Sequence, residues 1–249
     1  MAVAVVADSH LGGPGGDGAP LVRQLDGLID QGCERLVLLG DIFHVWVGDR
    51  RYETAEVRRV VAAIERLRKR GLCVDYVEGN RDFFLDRGPY ASLFDRLASE
   101  VTFVAAGRRY LAVHGDGLND RDRQYLFWRW LSKSPLCRLL VLHLPGRLAQ
   151  RFVTSTEARL GRTNFKHKAQ IPEQVIRAYA ERRLAEGHDV LLLGHFHAPR
   201  CYAVAGGQAR VLDAWFHSRR VEWFGAPPAD TSPTFEDGLH RAGRFPGAE

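Results

Sequence analysis

Between Ala2 and His197 the chain five times sets a short apolar run against an abrupt polar stop. The runs are residues 2–7, 35–39, 73–77, 109–113 and 190–193; all are of strand length and built largely from Val, Leu, Ala and Tyr, and each predicts a strand. The spacing of apolar positions over 20–31, 52–70 and 90–99 predicts helices between them. Strands that are apolar on both faces and alternate with helices predict an α/β fold. Two last strands are expected at 208–215 and 219–224. Residues 120–185 break this rhythm. They carry no strand signal, are rich in Leu and Arg, and are interrupted by Pro135, Pro145 and Pro172, which predicts a helical lid inserted between the fourth and fifth strands. One domain over 1–224 is expected, followed by a loose Pro- and Gly-rich tail at 225–249.

Composition changes this picture little. The chain has 249 residues, 45% of them hydrophobic and 26% charged, as in an ordinary soluble domain with a sizeable core. Cys33, Cys73, Cys137 and Cys201 are scattered with no CxxC pair, which predicts free thiols rather than a disulfide framework. Residues 1–7 lack a positive leader region and read as a buried strand rather than a signal peptide. No apolar run reaches the roughly 18 residues of a spanning helix. The expected location is therefore cytoplasmic. Charge is more telling once located: residues 119–171 hold eleven Lys and Arg against three acids, whereas the rest of the chain holds 24 basic residues against 27 acidic. An anionic partner is expected at that segment.

The polar stops carry the chemistry. They are Asp8-Ser9-His10, Gly40-Asp41, Gly79-Asn80-Arg81-Asp82, His114-Gly115-Asp116 and Gly194-His195-Phe196-His197. Carboxyl ends of strands in α/β proteins converge on one edge, where ligand sites form. A single strand-end Asp or His more often forms a turn or a hydrogen bond than holds a metal; five such motifs at five strand ends are a different matter. Asp8, His10, Asp41, Asn80, His114, His195 and His197 are too many donors for one ion. They suit a pair roughly 3.5–4 Å apart with one bridging carboxylate, as in two-metal displacement at phosphorus. Mixed imidazole and carboxylate suits Mn or Fe, with Zn also open, and the absence of cysteine argues against structural zinc.

The series DxH, GD, GN, HGD, GHxH over residues 8–197 resembles the calcineurin-like metallophosphoesterases. Within them, residues 40–49 (GDIFHVWVGD) and 79–83 (GNRDF) resemble the UDP-2,3-diacylglucosamine pyrophosphatase family of the lipid A pathway. The resemblance implies an αββα fold of two packed mixed β-sheets flanked by helices. It implies a first ion on Asp8, His10, Asp41 and His197, and a second on Asp41, Asn80, His114 and His195, with Asp41 bridging and Mn2+ preferred. It also implies cleavage of UDP-2,3-diacylglucosamine to UMP and the acylated sugar 1-phosphate. Asp122 matches a substrate-contacting acid of that family, while His44 stands where an acidic residue is usual.

Arg81 follows the GN asparagine, where many relatives have a histidine able to protonate an alkoxide. Arginine cannot act as a general acid, but it forks onto phosphate oxygens. A leaving phosphate ester is already a weak base, so Arg81 favours a diphosphate substrate over a simple phosphomonoester. The plain alternative is a surface arginine paired with Asp82 or Asp86. Catalytic roles are thus expected for His195 and Arg81, and substrate contacts for Asn80, Arg81, Asp122 and His195. Between residues 122 and 152 aromatics and leucines alternate with arginines. A lid with an apolar inner and a basic outer face would admit acyl chains and rest on an anionic membrane surface at the cytoplasmic face of the inner membrane; the plain alternative, the better reading for most of the leucines, is that they pack a helical cap onto the domain. Basic residues with aromatics can also stack bases. Here the aromatics sit in one short helix among leucines and no RNA-binding motif appears, so no nucleic-acid partner is expected. The competing readings are a metallophosphoesterase for another nucleotide diphosphate or phosphodiester, and a binding protein with a decayed site.

Overall fold

Val3 and Val5 face one way and Ala4 and Val6 the other, and all four are buried. The strand that carries them must therefore be covered on both faces, which explains its unbroken apolar run. The computed structural model describes residues 1–119, 123–143 and 173–225. In chain order the elements begin β1 (Val3–Val6), α1 (Ala19–Asp26), β2 (Arg35–Leu38), β3 (Trp46–Val47), α2 (Ala55–Lys69), β4 (Cys73–Val77), β5 (Asp82–Phe83), β6 (Arg96–Ala98), β7 (Glu100–Ala105) and β8 (Arg108–Val113). They continue with α3 (Arg123–Ser132), α4 (Pro135–His143), α5 (Glu173–Leu184), β9 (Val190–Leu193), β10 (Arg200–Val204), β11 (Gly207–Val211), α6 (Trp215–Ser218) and β12 (Glu222–Phe224).

Two mixed sheets, ordered β12-β1-β2-β4-β6 and β10-β11-β9-β8-β7, pack face to face. Val3, Val5, Val37 and Leu39 of the first interdigitate with Phe103, Tyr110, Val190 and Leu192 of the second. The outer face of the first sheet is closed by α1 and α2 through Leu21, Leu25, Val60 and Ile64. The outer face of the second is closed by α5 through Ile176, Ala180 and Leu184. This is the αββα layering expected from the resemblance. Strands β1, β2 and β4 run parallel, as do β8 and β9, so the five polar stops leave the sheets at carboxyl ends.

Some elements differ from expectation. Residues 90–99 form no α-helix beyond a single 3-10 turn at Ala91–Leu93. Leu93 and Phe94 turn into the core, and Asp95 is pinned to Val74 by its backbone N–H at 2.8 Å and its carboxylate at 2.7 Å, which starts strand β6 instead. The strand expected at 208–215 ends at Val211, because the Trp215 N–H donates to the Ala7 carbonyl at 2.8 Å and its indole to Gln24 Oε1 at 2.7 Å. Of the 120–185 segment, α5 lies on the second sheet rather than in a lid, whereas α3 and α4 pair with each other. The short β3–β5 pairing, Trp46 opposite Asp82, joins two motifs far apart in sequence. Residues 120–122 and 144–172, and the tail from 226, lie outside the described residues.

Candidate metal centre

The strand ends share an unusual backbone. Asp8 (φ 50°), His10 (45°), Asp41 (51°), His195 (66°) and His197 (55°) all adopt left-handed conformations. Such conformations cost non-glycine residues about 1–3 kcal/mol each and gather where a site over-determines them. The loops are stitched together by His10 N–H on the Asp41 carbonyl at 3.0 Å and Asp8 N–H on that of Gly40 at 3.2 Å. Gly79 is required by close approach, since a Cβ there would stand 2.3 Å from Asp41 Oδ1.

The side chains converge in two groups that share Asp8: Asp8 with His10 and His197, and Asp8 with Asp41 and His114. His197 Nε2 lies 3.1 Å from both Asp8 Oδ1 and His10 Nε2, and His10 Nε2 is 3.7 Å from Asp8 Oδ1. In the second group His114 Nε2 is 3.6 Å from Asp41 Oδ2 and 3.4 Å from Asn80 Oδ1. The His195 N–H donates to Asp8 Oδ2 at 2.8 Å, and its ring meets that of His114 edge-on with centroids 5.2 Å apart. The structure thus gathers all seven candidate donors at one place. Its atoms make Asp8 common to both groups, where the resemblance has Asp41 bridging.

Charge is dense here. Burial, the largest influence on Asp8, raises its carboxyl, but hydrogen bonding to His197 and the imidazoles of His114, His197 and His10 draw it well below the usual carboxylate range. Burial lowers His114, and Asp41, Asp8 and Asp116 more than reverse this, so the net shift is upward. Arg81 is buried rather than on the surface, and it pairs with neither Asp82 nor Asp86. Its Nε lies 3.5 Å from Asp41 Oδ2, its backbone N–H donates to Asp41 Oδ1 at 2.9 Å, and Nη1 reaches His44. Burial and the neighbouring Arg81 push His44 down to about 4.

Some contributors went unnoticed in the sequence. Asp82 sits beneath the cluster, where burial and Asp41 raise its carboxyl to about 7. Asp116 is buried and takes Arg129 Nε at 2.5 Å and the Tyr125 hydroxyl at 3.1 Å, both from α3. Lys133 donates to the Gly79 carbonyl at 2.9 Å. Both acids were visible as the last letters of the GNRD and HGD motifs; the lid partners carried no such signal. Asp122 lies outside the described residues.

The donors fit a divalent pair. Two donors about 2.1 Å from one ion and at right angles stand about 3.0 Å apart, close to the 3.1 Å separations here. Asp41 Oδ2 is buried and makes no hydrogen bond among the described residues. A buried carboxylate oxygen left without a donor is costly, and a cation satisfies it.

Such a cluster at the carboxyl ends of two packed mixed sheets is the arrangement that the resemblance to calcineurin-like metallophosphoesterases implies. The chain is 33% identical over 192 residues to UDP-2,3-diacylglucosamine hydrolase of Ralstonia nicotianae, covering 72% of this chain and 71% of that one. It is 30% identical over 188 residues to the Yersinia pestis bv. Antiqua protein of the same name, covering 74% and 78%. The chain belongs to the UDP-2,3-diacylglucosamine hydrolase family. Among solved structures it is similar to YfcE, a phosphoesterase from E. coli, with a TM-score of 0.42 and 17% identity over 86% of this chain and 80% of that one. No family model matches the chain.

Proposed function

We propose that this chain hydrolyses the pyrophosphate bond of UDP-2,3-diacylglucosamine, releasing UMP and 2,3-diacylglucosamine 1-phosphate. The observation that carries the reading is the buried Arg81 guanidinium beside Asp41 and next to Asn80, a fixed cation at the edge of the donor cluster. The names of the relatives support the substrate. Asp8, His10, Asp41 and His197 would hold one divalent ion and Asp41, Asn80, His114 and His195 the other, with Mn2+ the preferred species. When bound, such a pair supplies activated water and neutralises charge on the phosphoryl oxygens.

The chain's own groups do the rest. Arg81 forks onto phosphate oxygens and stabilises the charge that develops there; His195 faces the same oxygens, and Asn80 and Asp122 complete the substrate contacts. Water oxygen bonds to the uridine-side phosphorus as the bond to the bridging oxygen breaks. The sugar 1-phosphate leaves as an anion that needs no general acid, which suits an arginine that cannot give up its proton. Arg129 and Lys133 turn inward onto Asp116 and Gly79, while Phe127, Trp128, Trp130, Leu136, Leu139 and Leu140 are exposed. In this described part of the lid Arg129 turns inward because the buried Asp116 carboxylate needs a cation, and Val141 packs inward on Val47 and Phe84, so the aromatics and leucines left outside form a more apolar outer face than the sequence led one to expect. Peripheral membrane contact is accordingly assigned to that apolar face. No described helix is long and apolar enough to cross a membrane.

The test is to offer Mn2+-loaded protein UDP-2,3-diacylglucosamine and, separately, bis(p-nitrophenyl) phosphate. UMP release from the first supports the reading. Turnover of the generic diester alone would sink the lipid substrate and favour another phosphodiester.

A further inference from the structure

We infer that His44 is a positioning residue for Arg81, holding the guanidinium in the plane in which it meets the diphosphate. The inference rests on the role proposed above for Arg81. A guanidinium only donates hydrogen bonds, so in the 3.2 Å contact between Arg81 Nη1 and His44 Nδ1 the imidazole nitrogen accepts. The same Nη1 donates to the His44 carbonyl at 3.1 Å. Both hydrogens of that nitrogen therefore go to one residue. Along the other edge of the plane, Nε faces Asp41 Oδ2 at 3.5 Å. With Nη1 held twice by His44 and Nε boxed in beside Asp41 without a hydrogen bond of its own among the described residues, rotation of the guanidinium about its long axis is opposed chiefly by His44, and Nη2 is the end left for a phosphate oxygen.

The backbone enforces the pairing. Trp46 N–H donates to the Arg81 carbonyl at 2.9 Å as β3 enters its register with β5, which sets His44 beside Arg81. From another direction the loop at Gly13 packs on the imidazole: a Cβ there would stand 2.5 Å from His44 Cγ. The ring is thus confined between a loop that follows His10 and the arginine that follows Asn80. Holding a long, flexible cation in one geometry before substrate arrives is how a protein raises its effectiveness at phosphate.

The experiment measures kcat and KM for UDP-2,3-diacylglucosamine in Mn2+-loaded full-length protein, comparing wild type with H44A, H44N, R81A and H44A/R81A. Metal content and melting temperature are read on each. H44A is expected to lower kcat/KM about tenfold at unchanged metal content. H44N, whose side-chain oxygen stands where Nδ1 does, is expected to recover most of the loss. H44A/R81A is expected to be no worse than R81A, because the histidine acts through the arginine. Should H44A fold poorly, G13A crowds the ring of an intact His44 and is expected to show the same loss. Undiminished activity in a folded H44A beside an impaired R81A overturns the inference and leaves the Arg81 role standing, as does a loss in H44A that multiplies with that of R81A. Wild-type activity in R81A instead overturns the role of Arg81, and the inference with it.

Discussion

Asp82 supports Asp41 from below: its Oδ2 accepts the Asp41 backbone N–H at 3.1 Å. The same oxygen accepts the Gly79 N–H at 2.7 Å, and Oδ1 accepts the Tyr76 hydroxyl at 2.9 Å. One buried carboxylate thereby ties the GD and GN loops together. Asp82→Ala strands three buried donors, each costing about 1–3 kcal/mol, so a total loss of roughly 3 kcal/mol is expected after partial relaxation. Urea denaturation of the metal-free protein reads it, and a loss under about 1 kcal/mol would show the loops held by other means.

Gly79→Ala drives a methyl group into the Asp41 carboxylate, 2.3 Å from its nearer oxygen. Metal affinity should fall on the order of 10- to 100-fold, as when an orienting group is lost, while Asp41→Ala should abolish both metal loading and turnover. Elemental analysis after gel filtration separates the two. Full metal content in Asp41→Ala would place the centre elsewhere.

Arg129→Ala leaves Asp116 without its cation. The arginine side chain is 30% exposed, so the expected cost is about 2 kcal/mol, below that of breaking a fully buried pair. Asp116→Asn in the same chain removes the unpaired charge and should return part of the stability. A double variant less stable than Arg129→Ala would contradict this account.

Glu100 carries a stability contribution with a defined pH window. Hydrogen bonding to Arg183 lowers its carboxyl below the unfolded value of about 4.3. A lowered carboxyl stabilises above the unfolded value, and the contribution fades as pH falls through the folded one. Because Glu100 is partly exposed, less than about 1 kcal/mol is at stake. The stability difference between wild type and Glu100→Gln should be constant from about pH 6 to 8 and should shrink below about pH 4. A difference that grows on acidification has the wrong sign for this pair.

The exposed face of α3 and α4 gives a membrane prediction. Burying one large aromatic is worth about 1.5–3 kcal/mol, so Trp128→Glu with Trp130→Glu should weaken cosedimentation with anionic vesicles at least tenfold. UMP release from a short-chain, soluble analogue should survive. Equal vesicle binding by the variant would assign that face to something other than lipid.

The sequence alone determined the sandwiched strands and the donors at their ends. Runs such as 35–39 and 190–193 are apolar on both faces because helices cover one side and the opposing sheet the other, and that double burial is written in consecutive residues. Asp8, His10, Asp41, Asn80, His114, His195 and His197 were readable because each follows such a run directly. Only the tertiary structure decided what lies beneath and over them. Residues 90–99 have helical spacing, but Asp95 finds a partner in Val74 and the chain becomes a strand. His44 meets Arg81 because β3 pairs with β5, Asp82 reaches under Asp41, and Arg129 turns inward to Asp116. Periodicity records which face of an element is buried; it does not record which distant residue will be there to satisfy a buried charge.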